Sequence, residues 1–184
     1  MNFAFIFLPV KDYLKTRRKL WRQYIVPFLA GVIVLICSFM LDAKEGVDIE
    51  AVFSDFVNIQ ISAIAILISF SLAIITILVS ADNENIRKLK KEKVSELAYK
   101  KLEDEPLSLF QVLLSNISYN VMVEIIYMII LIFYIFLSLV LSTSIIKWLT
   151  AISVFFLMHI LLVLMECVAQ MYLTFWKDKG QNKA

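Results

Sequence analysis

The sequence predicts an all-α polytopic membrane protein, a bundle of four transmembrane helices with both termini cytoplasmic. Three observations carry this reading. The first is composition: of 184 residues, 61% are hydrophobic and 18% charged, and the mean hydropathy is +0.82. Soluble domains are about half apolar and about a quarter charged. A chain this short has too much surface for its volume to hide so many apolar side chains from water, and disorder needs the opposite composition. The second is a set of long apolar stretches. The third is the sidedness of the lysines and arginines.

The first span is read over 24–41, free of charge, with Pro27 and Gly31 inside it. The second is read over 56–80, also without charge. From Ile117 to Phe175 the chain is apolar for 59 residues, broken at Ser142, Thr143, Ser144 and Lys147. About 20 residues cross a bilayer, so this stretch divides into spans 117–141 and 145–174 with a turn at Ser142–Ser144. Backbone groups in lipid must bond within their own segment, which selects helices. No alternating ten-residue segments suggest a barrel.

Six basic residues precede the first span, seven (Arg87 to Lys101) lie between spans two and three, and three follow the last. Sixteen of the 18 therefore share one side, Lys44 and Lys147 excepted. The positive-inside rule places that side in the cytoplasm, and the acidic loop Asp42–Asp55 outside. This gives residues 1–23 as an N-terminal basic segment, 24–80 and 117–174 as two transmembrane hairpins, 81–115 as a cytoplasmic loop and 175–184 as a tail. The apolar start, Met1 to Pro9, precedes the basic cluster, so it is not a cleavable signal peptide, and the first span serves as a signal anchor. Cys37 and Cys167 both fall inside spans and are read as packing residues.

In segment 10–24, Lys11, Lys15, Arg18 and Arg22 recur at helical steps opposite Val10, Tyr13, Leu14, Trp21 and Tyr24. This predicts an interfacial helix that lays its basic face on anionic lipid, with Trp21 at the boundary. Loop 81–115 predicts a helix capped by Asp82 or Asn83, apolar at Ile86, Leu89, Val94, Leu97 and Leu102 and stopped by Glu103-Asp104-Glu105-Pro106. Its basic run, with Arg87, Lys88, Lys90 and Lys91, is either a solvated face or a docking platform for a partner.

Polar residues inside spans are costly and face other helices or water. Asn58, Ser62, Ala65, Ser69, Ala73, Thr76 and Ser80 form one face of the second span. This predicts tight packing, within a protomer or between copies, or a weakly polar pore lining. Asn116, Asn120, Glu124, Tyr127 and Tyr134 share a side of the third span; His159, Glu166 and Gln170 share a side of the fourth. Antiparallel neighbours would hold Glu124 and Glu166 at similar depth, where one carboxyl keeps a proton or a cation joins them. Arg17, Arg18 or a neighbouring subunit would supply that cation. The cluster Asn120, Glu124, His159, Glu166 and Gln170 is thus either a register-fixing network or a proton- or cation-sensitive gate. No hydrolase, zincin, P-loop or dinucleotide motif is present, so no enzyme, cofactor or metal is predicted.

In length, span number and the basic segments 11–22 and 87–101, the chain resembles the membrane component of the Kiwa anti-phage defence system. A second resemblance is to Hailong-type membrane effectors. The first implies a sensor and scaffold in the bacterial inner membrane, a homo-oligomer with the tetramer favoured. It would couple envelope disturbance to a cytoplasmic defence partner docked on Arg87, Lys88, Lys90 and Lys91, with nucleic acid met through that partner and Glu124 and Glu166 as the switch. The second implies an ion-conducting effector with a pore lined by Asn58, Ser62, Ser69 and Thr76. A small transporter subunit is the third class.

Overall fold

The structure, a computed structural model, describes residues 7–18, 20–42, 48–80, 84–94, 99 and 106–181, without the side chains of 42 and 173–181. The predicted caps Asp82 and Asn83, the loop cations Lys44, Lys100 and Lys101, Leu97, Leu102 and the acidic stop at 103–105 lie outside the described residues. Six helices follow in order: α1 (Leu8–Thr16), α2 (Trp21–Asp42), α3 (Ile49–Ser80), α4 (Glu84–Lys91), α5 (Leu109–Ser138) and α6 (Thr143–Gln181). Four of them, α2, α3, α5 and α6, are long and apolar enough to cross a membrane. Only 11% of the apolar window of α2 and 33% of that of α6 is buried within the chain. Such faces suit hydrocarbon and not water.

The helices begin earlier than hydropathy suggests because polar caps start them. Asp48 Oδ1 accepts the backbone N–H groups of Glu50 (3.0 Å) and Ala51 (3.1 Å), which starts α3 seven residues before the apolar run at 56. Ser108 and Gln111 form a reciprocal capping box. Gln111 N–H donates to Ser108 Oγ at 3.2 Å, and Ser108 N–H donates to Gln111 Oε1 at 2.8 Å. That box starts α5 at Leu109, where the apolar reading began at 117. Between α5 and α6 the turn falls at 139–142, and Ser142 C=O accepts from Ile145 N–H at 2.9 Å. At 32 residues, α3 is about 48 Å long, and at 39 residues α6 is about 58 Å; both exceed a hydrocarbon core of about 30 Å.

One prediction needs correction. Segment 10–24 is not a single interfacial helix: α1 stops at Thr16, and Arg17 turns extended (φ −87°, ψ 137°) to pair its backbone with Tyr99. Lys11 and Lys15 stand exposed on α1, while Arg18, Trp21 and Arg22 lie beyond the break. The four cations therefore do not form one helical face.

The chain divides into two compact units, and α3, α5 and α6 each contribute to both. The first comprises the described parts of Met1–Leu20, Phe70–Met122 and Leu162–Ala184. Its core joins Leu78 of α3, Ile86 and Leu89 of α4, Leu113, Ile117 and Val121 of α5, and Cys167 of α6. Amphipathic α4 thus docks its apolar stripe, as the sequence predicts for Ile86 and Leu89. Beside it, Val94 N–H donates to Leu107 C=O at 3.0 Å, and Tyr99, Leu107 and Val112 form a small second core.

The second unit comprises the described parts of Trp21–Ser69 and Val123–Leu161. Phe53, Val57, Ile64, Tyr127, Leu131, Tyr134, Ile146 and Ile160 make its core. Here Gly31 of α2 meets α6: a Cβ at that position would lie 3.0 Å from the carbonyl oxygen of Ala151 and 3.6 Å from Phe155 Cβ. Glycine lets the two backbones approach, as small residues do in membrane interfaces. Gly31→Leu is expected to lower stability by about 1–3 kcal/mol through overpacking, and Gly31→Ala by less. Unfolding in mixed micelles checks this; an unchanged midpoint for the leucine variant would refute the close approach.

Candidate functional site

The polar chemistry of the first unit converges on the Glu166 side chain of α6. Three elements meet there. The break after α1 delivers Arg17, the segment following α4 delivers Tyr99, and α6 itself supplies Gln170 one turn beyond Glu166. Arg17 Nη1 donates to Glu166 Oε2 at 2.9 Å. Tyr99 Oη donates to Glu166 Oε1 at 3.1 Å, and Gln170 Nε2 reaches the same oxygen at 3.1 Å and Tyr99 Oη at 2.9 Å. Asn116 of α5 closes the chain of contacts, its Nδ2 lying 3.4 Å from Gln170 Oε1.

Arg17 is 7% exposed. Its guanidinium lies 4.4 Å from the ring centre of Tyr13 and 5.7 Å from that of Tyr99. Tyr13 is itself stacked on Tyr119 of α5, centroids 3.7 Å apart and planes 4° from parallel. The cation is therefore held by a carboxylate and by the faces of two tyrosine rings. Burial pushes the Tyr99 phenol above its ordinary 10.0, with the Arg17 cation opposing and the Glu166 carboxylate adding to the rise. Tyr99 thus stays protonated at neutral pH and remains a donor to Glu166. This network ties the N-terminal arm and the segment carrying Tyr99 to one position on α6.

The basic face of α4 is the other feature of this unit. Arg87, Lys90, Lys91 and Lys93 are exposed and Lys88 is half-buried. Lys88 pairs with Glu84 at 3.4 Å, and Lys90 Nζ sits 5.1 Å from the Phe110 ring centre. Ile86 and Leu89 fasten the opposite side of the helix, so the cations are presented on an anchored element.

The five-residue intramembrane cluster read from sequence is divided between the units. Asn120, Glu166 and Gln170 belong to the first; Glu124 and His159 belong to the second. Asn116, Asn120, Glu124, Tyr127 and Tyr134 are all buried, as their shared side of α5 predicts. His159 is buried and stacked on Tyr24, centroids 4.8 Å apart, an aromatic packing role. The polar centre of the second unit is one the sequence reading missed. The Gln60 side-chain amide and the Ser153 carbonyl, the latter at 2.9 Å, both contact the Tyr127 hydroxyl. The phenol is the donor, with Gln60 Oε1 and the Ser153 carbonyl oxygen as its two acceptors. The signal was present: Gln60 is a large polar residue in a charge-free stretch, four residues before buried Ile64.

The small-residue face of α3 does not pack against a neighbouring helix among the described residues. Asn58, Ser62, Ala65, Ser69, Ala73, Thr76 and Ser80 are all exposed. Ser62, Ser69, Thr76 and Ser80 donate to backbone carbonyls four residues earlier in α3.

Glu166→Gln is expected to leave the Arg17 cation without its counter-charge and to cost on the order of 2 kcal/mol, less than a fully buried pair because Glu166 is partly exposed. Limited proteolysis of the arm at 8–18 should accelerate; unchanged cleavage would refute the tether. The raised Tyr99 pKa means that the folded state holds its proton above pH 10.0 while the unfolded chain releases it. The contribution of the phenol is then complete below pH 10 and declines as pH rises toward its folded value. Tyr99→Phe should flatten that alkaline limb in a stability-against-pH profile. No protein-family model, curated protein or solved structure matches the chain.

Proposed function

We propose that this chain is the membrane-embedded sensor and scaffold subunit of a bacterial anti-phage defence system. It sits in the inner membrane with both termini and the basic α4 segment in the cytoplasm, and it couples an envelope signal to a cytoplasmic partner. The observation that carries the coupling is the tether at Glu166. A spanning helix, the N-terminal arm and the segment after the basic helix share one hydrogen-bonded node, so a shift of α6 changes the surface a partner meets. The defence context is supported by the resemblance in length, span number and charge layout. Arg87, Lys88, Lys90 and Lys91 dock the partner, and the node at Glu166, with Glu124 buried deeper on α5, is the switch. Two helix packings a few kcal/mol apart suffice for such a device. The protein acts as a homo-oligomer, the tetramer favoured, and carries no catalysis of its own.

Charge reversal at Arg87, Lys90 and Lys91 is expected to abolish co-purification with the partner encoded beside it and to remove protection against phage in plating assays, with membrane insertion intact. Undiminished co-purification would refute the docking assignment. A second reading, an ion-conducting effector, is favoured by the exposed face with Asn58, Ser62, Ser69 and Thr76, which becomes a pore lining if copies gather around it. Flux from liposomes separates the two. Conductance changed by Ser69→Leu supports the pore, and a silent purified oligomer supports the scaffold.

A further inference from the structure

The guanidinium of Arg17 is short of acceptors. Of its three nitrogens, Nη1 is used by Glu166, while Nε and Nη2 are buried and have no hydrogen-bond acceptor among the described residues. Glu166 does not serve them: its Oε2 takes Nη1, and its Oε1 accepts from Tyr99 and Gln170. Tyr13 and Tyr99 offer ring faces to the cation, which ease its charge. A buried donor left without an acceptor costs about 1–3 kcal/mol. The two nitrogens together form the side edge of the guanidinium, the planar fork that matches two oxygens of a phosphate or carboxylate.

Its place in the chain identifies the source of those oxygens. Four residues after Arg17 the first spanning helix begins with Trp21, which is 78% exposed, and tryptophan at the end of a span marks headgroup level. A cavity of about 350 Å³ opens beside the last turns of α1, lined by Pro9, Asp12, Lys15, Thr16, Gln111 and Ser115 among others; Thr16, the neighbour of Arg17 in the chain, lines it, and Arg17 itself lies behind that wall. Exposed Lys15 lines it, and exposed Lys11 and Arg18 lie nearby in the chain; Asp12 is the one acid among its described lining residues.

We propose that the Nε/Nη2 edge of Arg17 is a phosphate-binding site, filled by the headgroup phosphate of an anionic phospholipid from the adjoining leaflet. The lipid completes the node at Glu166, so that the arm is fully seated only when a headgroup is present. The site stands apart from the choice between scaffold and channel, since it depends on neither partner nor pore.

The test uses the full chain purified in maltoside and titrated with phosphatidylglycerol, with inorganic phosphate alone or with dioleoylglycerol, which lacks the phosphate. Bound lipid is counted by native mass spectrometry, and seating of the arm is read by hydrogen exchange over 8–18. The wild-type chain is expected to retain phosphatidylglycerol and to gain arm protection from it, but not from dioleoylglycerol. Arg17→Lys keeps the charge and lacks the fork, and should bind about tenfold more weakly; Arg18→Lys should match the wild type. Protection by inorganic phosphate at equal concentration would support the phosphate site and overturn the lipid as its source. If phosphatidylglycerol gives the wild-type arm no more protection than dioleoylglycerol, or if Arg17→Lys binds as the wild type does, the site is refuted. The wild-type comparison stands even where the variant fails to fold.

Discussion

An apolar side chain in hydrocarbon gains little by leaving lipid for a neighbouring helix, since both are equally apolar. What distinguishes one helix arrangement from another is then the small number of polar contacts and close approaches that lipid cannot imitate. Each unit of this protein has such a centre among its described residues. In the second it is Gln60, Tyr127 and the Ser153 carbonyl, with Gly31 against Ala151 as the close approach. In the first it is Glu166 with Arg17, Tyr99, Gln170 and Asn116. The apolar cores around them supply dispersion and shape, while the polar centres supply register.

The two centres differ in kind. Tyr127 and Gln60 join neutral groups on three spanning helices, which suits a fixed scaffold. The centre at Glu166 is ionic, partly exposed, and built from segments outside the spans on one side of the contact and a spanning helix on the other. Ionic contacts at a membrane boundary respond to surface charge, lipid composition and bound partners, whereas an apolar or neutral contact does not. The ionic and the neutral centre thus lie in different parts of the chain, and α4, fastened by Ile86 and Leu89, belongs to the same unit as the ionic one.

The four spans, their order and the amphipathic docking of α4 were legible because composition and 3.6-residue periodicity encode them locally. The buried side of α5 was legible for the same reason, and Arg17 stood among the cations expected to meet a carboxylate. Tyr99 was not, because it reaches Glu166 across 67 positions from a segment with no regular period. The break at Thr16 was hidden by a run of cations that continues at helical spacing through Arg22. Only the tertiary pairing of Arg17 with Tyr99 overrides that local pattern. On α3 the hydroxyl stripe drew the eye, yet the face that packs carries Phe53, Val57, Gln60, Ile64, Ser71 and Leu78, at steps of four, three, four, seven and seven. That near-heptad seam is the signature of helix packing, and small residues, however regular, mark only where a helix could be approached.

A cluster of arginines and lysines before a first span is commonly no more than a topology signal, and such a signal works through solvated charge. Arg17 does not fit that description. It is withdrawn from solvent, stacked on one tyrosine and facing a second, and set against a single carboxylate, at a desolvation cost that an exposed lysine would avoid. An ion pair so placed is a poor way to gain stability, because apolar residues of the same volume would serve as well or better. Its use lies in what apolar residues cannot do: fix one partner among several, and release it when charge nearby changes. The neighbours Lys11, Lys15 and Arg18 remain exposed, as a topology signal requires. Among the described cations that precede the first span, Arg17 is the one that is buried, and a topology signal does not account for its position.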